Sequence, residues 1–195
     1  MKTTTASSSS FRLIVFEVLS IFLAVFLAFG VSEWREVRKN KALAATALAG
    51  MVDEINRNKH LIEQMLPSHE RVRNYSRQGG DVAQMSTDSL TFLPIILRGT
   101  AWRTASETGA MIHMEYKQAT ALAEVYTFQE AYNKLTENMM SSSFSINNYG
   151  ADKEDAQLAV LQWISFVFVE NERMLLQAYE KTLTALGEDP AVRVE

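Results

Sequence analysis

The sequence predicts an all-α protein in which an N-terminal transmembrane helix continues into an up-and-down helical bundle. Three observations lead there. Residues 13–31 are apolar over 19 positions, with Glu17 as their sole formal charge. Beyond them, apolar and small side chains recur every three or four residues through several long tracts. No tract carries a convincing strand pattern. A chain of 195 residues suits one domain plus an anchor, so the expected organisation is a disordered leader (1–12), a membrane helix (13–31) and a helical bundle domain (32–190).

The leader, MKTTTASSSS, is Ser/Thr-rich and of low complexity. At about 1.5 Å rise per residue, the apolar stretch after it covers about 28 Å as a helix, close to the thickness of a bilayer's hydrocarbon core. It has no charged face, which excludes an interfacial amphipathic helix. Cleavage as a signal peptide after the small residues Ala28 and Gly30 is the rival reading. The stretch is longer than a typical signal-peptide core, and its helical pattern runs past the cut. Lys2 and Arg12 before the span, against Arg35, Arg38, Lys39 and Lys41 after it, lean by about one charge toward a cytoplasmic C-terminal domain and leave its side open.

Within the span, Ala24 and Ala28 fall within about 20° of Glu17 around the helix and Ser20 within about 60°, so one side is small and polar. Such a stripe lets helix backbones approach, and the expectation is an intramembrane helix contact through Glu17, Ser20, Ala24 and Ala28. The plainer alternative has Glu17 snorkelling at the membrane boundary. Trp34, with Arg35 and Arg38, reads as the interfacial anchor.

The helical pattern then continues through Val37, Ala44, Leu48, Met51, Val52, Ile55 and Ile62, with a flexure expected at Gly50 and a stop at Pro67. Ser68 would cap a short helix over 69–77, ending at Gly79–Gly80. Residues 81–100 are the least regular part, long enough to hold a short helix. Thr100 would cap a helix carrying Trp102 and Ala105 that breaks near Gly109. A longer helix follows, with Tyr116, Leu122, Tyr126, Tyr132 and Met139 at helical spacing. Residues 141–150 read as a turn. Asp152 would cap the last helix, and Gly187 with Pro190 would close it. Residues 158–169 (LAVLQWISFVFV) are nearly all apolar but too few to span a bilayer, and are expected to be the central buried helix.

The composition excludes several function classes. With Cys 0, the chain has no disulfide scaffold, thiolate metal site or cysteine nucleophile. A net charge of -4 speaks against nucleic acid as a partner. Phosphate-binding, nucleophile-elbow and zinc-protease motifs are missing. The three histidines are scattered; His60 and Glu63 share a helix face, which alone is a weak signal, and neither metal nor cofactor is expected. Arg98, Trp102 and Arg103, with Glu107 four residues on, form the candidate ligand or anion site; the plainer reading is a structural Trp among salt-bridged arginines.

Four patterns carry a resemblance: Glu33-Trp34-Arg35-Glu36 directly after the span, Glu54-Ile55-Asn56-Arg57-Asn58, Ala101-Trp102-Arg103-Thr104-Ala105, and the stretch from Leu122 through Tyr126 to Gln129. Together they resemble a family of uncharacterised bacterial single-span membrane proteins with an N-E-W-R-E-like sequence after the span, although Ser32 stands where that pattern has Asn. The similarity covers most of the chain after residue 12. It implies a bacterial inner-membrane, single-pass protein and brings no activity with it. The expected function is therefore a non-enzymatic, membrane-anchored interaction or scaffolding subunit. Its partners would be the lipid bilayer and either a second copy or another membrane protein. The alternative is a periplasmic small-molecule sensor bundle signalling through a partner.

Overall fold

The computed structural model describes residues 7–78, 95–146 and 154–187. Four α-helices, α1 (Ser7–Arg77), α2 (Thr100–Glu107), α3 (Tyr116–Ile146) and α4 (Glu154–Leu186), account for nearly all of them, with a 3-10 helix over Ala110–His113 and no strand among the described residues. The protein is all-α. α1 already begins at Ser7, inside the stretch expected as a leader, and residues 1–6 lie outside the described residues.

One helix serves two environments. Along α1, every side chain from Val15 to Lys39 is exposed, and burial begins only at Asn40 and Leu43. The most apolar 18-residue window of this helix has a mean hydropathy of 2.3 and is 0% buried; it is long and apolar enough to cross a membrane. The second half of α1 is the spine of the bundle. Ala44, Met51, Ile55, Asn58, Ile62, His69, Val72 and Ser76 are buried at spacings of three, four or seven, one stripe facing the other helices.

Pro67 does not end the helix; α1 runs through it to Arg77, so there is no separate helix over 69–77. Pro67 points to solvent, while Ile62, His69 and Val72 on either side are buried. Packing of both flanks offsets the one backbone bond that proline lacks.

Cross-links between helices give their directions. Glu170 meets Arg73 and Glu180 meets Lys59, so α4 runs antiparallel to α1. Tyr126 meets Glu54 and Tyr132 lies higher, beside the His69–Glu172 pair, so α3 runs parallel to α1. The described part of the connection between α1 and α3 is a segment without regular secondary structure, 95–99, followed by α2 and the 3-10 helix, both packed on α1. Gly109, at φ 72, makes the corner that separates α2 from the 3-10 helix. Gly187, at φ 84, ends α4 as expected.

Three sequence expectations change. Thr100 is the first helical residue of α2 rather than its cap, and the Gly99 cap makes no side-chain bond. The turn expected over 141–150 begins later, because α3 continues to Ile146. The apolar run 158–169 is not buried all round: Ser165, Phe168 and Val169 are inside, whereas Trp163 is 62% and Phe166 54% exposed. The irregular stretch before Ile95 and the Asp152 cap lie outside the described residues.

Candidate functional site

The non-helical backbone of 95–99 has neither a helix nor a neighbouring strand to satisfy it, so side chains must do so. On α3, Asn133 accepts from the Leu97 N–H (2.9 Å) and donates to the Leu97 carbonyl (2.8 Å). On α1, Asn58 accepts from the Arg98 N–H (3.0 Å) and donates to the Arg98 carbonyl (2.8 Å). Gln129 Nε2 adds a second bond to that carbonyl at 2.7 Å, and the Thr136 hydroxyl reaches the Ile95 carbonyl at 3.2 Å. Carboxamides suit this task because each carries a donor and an acceptor side by side.

The same node continues into α4 and α2. Gln129 Oε1 accepts from Asn58 Nδ2 (2.9 Å) and from the Tyr179 hydroxyl (2.7 Å). Glu54 accepts from the Tyr126 hydroxyl (2.9 Å) on Oε1 and from the Ala101 N–H (3.0 Å) on Oε2. Its carboxylate thus supplies the acceptor that the first turn of α2 lacks in its own cap. Burial, followed by the charge of Glu54, drives the Tyr126 hydroxyl far above its ordinary pKa, so it stays a donor. Burial dominates for Tyr179 as well.

Three of the four quoted sequence patterns meet in this node. Glu54 and Asn58 come from the second, Ala101 and Trp102 from the third, Tyr126 and Gln129 from the fourth. Trp102 lies half-buried against Tyr126, their rings stacked 5.0 Å apart at 20°. No protein-family model, curated protein or solved structure matches the chain. What joins these patterns is therefore physical: they are the parts that fasten the segment 95–99 and α2 to α1 and α3.

The candidate ligand residues lie on the outside of this node. Arg98 is held by its backbone while its side chain is exposed, and Arg103 is exposed one turn into α2. Among the described residues neither makes an ion pair, and Arg103 and Glu107 do not pair despite their spacing. Both are exposed basic side chains on the segment that also carries Trp102, stacked on Tyr126. Such a surface can take an anion, but it is open rather than enclosed.

A second polar group was not legible in the sequence. His69 Nδ1 lies 2.7 Å from Glu172 Oε1, which also accepts from the Tyr132 hydroxyl at 2.8 Å. His69 and Glu172 are 0% exposed, and Tyr132 is 1%. Burial, then the charge of Glu172, pushes Tyr132 far above its ordinary pKa. Glu172 Oε2 is buried with no hydrogen-bond partner. Sealed on every side, this trio joins α1, α3 and α4 and offers no access to a substrate. His60, by contrast, is exposed, with its Nδ1 4.0 Å from Glu63. Among the described residues no three His, Asp or Glu side chains gather as a metal site requires.

The residues expected at the membrane are all exposed. The Arg38 guanidinium sits 5.5 Å from the centroid of the Trp34 ring, a cation–π contact between two of the residues expected as anchors. Glu17, Ser20, Ala24 and Ala28 share one side of a bare helix, and the Ser20 hydroxyl turns back to the Glu17 carbonyl at 2.8 Å. Arg35 is exposed further along the same helix.

Proposed function

We propose that the protein is a membrane-anchored helical-bundle subunit of the bacterial inner membrane that serves interaction or scaffolding rather than catalysis. Its span would associate with a second copy or with another membrane protein. The observation that carries this reading is the continuity of α1, whose bare apolar half and packed half are one helix. Any partner gripping the span is thereby coupled to the attitude of the whole bundle. The buried polar groups support the same reading, since the Glu54–Asn58–Gln129 node spends its donors and acceptors on the protein's own backbone.

Membrane residence is tested by carbonate extraction and flotation, in which the protein remains with lipid. Self-association is tested in the span itself. Ala24→Ile and Ala28→Ile should weaken crosslinked dimers by closing the small-residue side. Crosslinking that is unchanged by both removes the homo-oligomer from the proposal. Detergent purification with identification of co-purifying proteins then tests the interaction role: a protein with neither self-association nor a stable partner is no scaffold.

A further inference from the structure

We propose that Glu54 is a pH-sensitive latch: protonation of its carboxyl group releases α2 from α1 while the segment 95–99 stays fastened. The latch belongs to the bundle alone and stands apart from the membrane anchoring proposed above.

The connection between α1 and α3 is held by two chemically different fastenings. Over 95–99 the holders are Asn58, Gln129, Asn133 and Thr136, whose carboxamides and hydroxyl do not titrate. At α2 the holder is a carboxylate. Glu54, 4% exposed, accepts from the Ala101 N–H on Oε2 and from the Tyr126 hydroxyl on Oε1. Both of its oxygens face donors, and among the described residues it forms no ion pair.

The groups around this carboxylate offer no charge to replace it. From α3 comes Tyr126 and from α4 Tyr179; burial first, with the charge of Glu54 adding to it, raises both far above the ordinary tyrosine value, so both stay neutral. From α2 comes a backbone N–H, while the charged Arg103 and Glu107 of that helix are exposed, as are Asp53 and Arg57 on α1 and His113 on the 3-10 helix. A proton added to Oε2 displaces the Ala101 N–H outright. A proton added to Oε1 turns the Tyr126 hydroxyl into an acceptor and strands that hydroxyl's own proton in a buried site. It also leaves Ala101 with a neutral acceptor in place of a charged one, which is the weaker bond. Either way the first turn of α2 loses its hold, and the direction is fixed: docked with the carboxylate, loosened as pH falls.

The rest of α2 holds on weakly. It packs on α1 and the 3-10 helix, with Ala105 fully buried and Ala101 and Trp102 half-buried, so little apolar area keeps it in place. Gly99 stands before it without a side-chain cap, and Gly109, at φ 72, follows it, so each end has a glycine at which the backbone can turn. Beyond those glycines, Leu97 is 2% and Ala110 0% exposed, which keeps the flanks seated. Release takes the Trp102 ring off Tyr126 and uncovers α1 at Gly50, where Ala101 now sits. What acid exposes is a strip of the bundle's longest helix, a contact surface present only at low pH.

The test uses the full chain in detergent carrying Trp34→Phe and Trp163→Phe, both at exposed positions, so that Trp102 is the sole tryptophan. It is titrated from about pH 8 to about pH 4, a range that reaches the ordinary carboxylate values. Trp102 emission should shift to longer wavelength and its quenching by acrylamide should rise, while far-UV circular dichroism stays constant. Glu54→Gln brings a donor to a place where donors already stand. It should show the released signal at about pH 8 and no further change on acidification. Amide exchange in the unmutated chain, corrected for the intrinsic effect of pH, gives a reading that does not depend on the folding of any variant. The Ala101 amide should lose protection by about tenfold or more in acid, whereas the Leu97 and Arg98 amides, held by Asn133 and Asn58, keep theirs. A Trp102 signal that changes only together with helicity overturns the latch. So does a transition that survives in folded Glu54→Gln, or an Ala101 amide whose protection tracks that of Leu97 and Arg98.

Discussion

Asn58 and Asn133 do for the segment 95–99 what a neighbouring strand does in a sheet, each closing two backbone bonds on one residue. Replacing Asn58 by Ala leaves the Arg98 N–H without its acceptor and removes a donor from Gln129. The expected loss is about 2–3 kcal/mol, read as a lower unfolding midpoint in detergent. Arg98→Ala keeps the same backbone bonds and removes only an exposed side chain, so it should cost no more than about 0.5 kcal/mol. The three buried tyrosines set an alkaline limit. Tyr126, Tyr132 and Tyr179 are raised in the folded state, so their contribution is complete below the unfolded tyrosine pKa near 10 and is lost as pH rises above it. Above that pH, stability should fall by about 1.4 kcal/mol per pH unit for each tyrosine, with unfolding midpoints across pH 9–12 as the measurement. Glu54, Asn58, Tyr126 and Gln129 could be singled out in the sequence as members of short patterns. Their joint task could not, because it depends on a segment more than 30 residues from each of the two helices that hold it, as the separations of 40 and 31 residues show.

Among the elements, α1 departs most from its sequence signals. Pro67-Ser68 is a sound local stop signal, yet Ile62, His69 and Val72 bury their side chains on both sides of it, and tertiary packing overrides the signal. Gly50 was expected as a flexure and is instead an ordinary helical residue beside α2. A Cβ built there meets only the Ala101 Cβ, at 4.0 Å, which is normal contact. Gly50→Ala should therefore stabilise the bundle by about 0.5–1 kcal/mol through helix propensity, measured by denaturant titration. Gly187 has the opposite character. At φ 84 it holds a left-handed conformation with nothing within 4 Å of a Cβ, so Gly187→Ala should destabilise by about 1 kcal/mol from the backbone alone. The apolar run of α4 departs from the expected central buried helix for a related reason. A run such as 158–169 shows that a helix is apolar but not which of its faces the bundle has room to cover, and Trp163 and Phe166 were left outside.

For the whole molecule, the separation of α1 into a bare half and a packed half makes a prediction of its own. Side chains from Val15 to Lys39 touch no other part of the bundle closely enough to be buried. Removal of residues 1–34 should leave a folded, water-soluble bundle whose urea unfolding curve matches that of the full chain within about 0.5 kcal/mol. A collapse of the truncated chain would mean that the span is part of the fold rather than an appendage. The all-helical class, the apolar anchor and the order of the helices follow from local pattern, since a span is defined by length and hydropathy and a helix by period. Which polar side chains meet is a different kind of fact. His69 finds Glu172 across 103 residues, Asn58 finds Arg98 across 40, and Tyr126 comes level with Glu54 only because α3 runs parallel to α1. Period and hydropathy are properties of neighbours along the chain, whereas these contacts arise only when the packed helices fix one another's height and rotation.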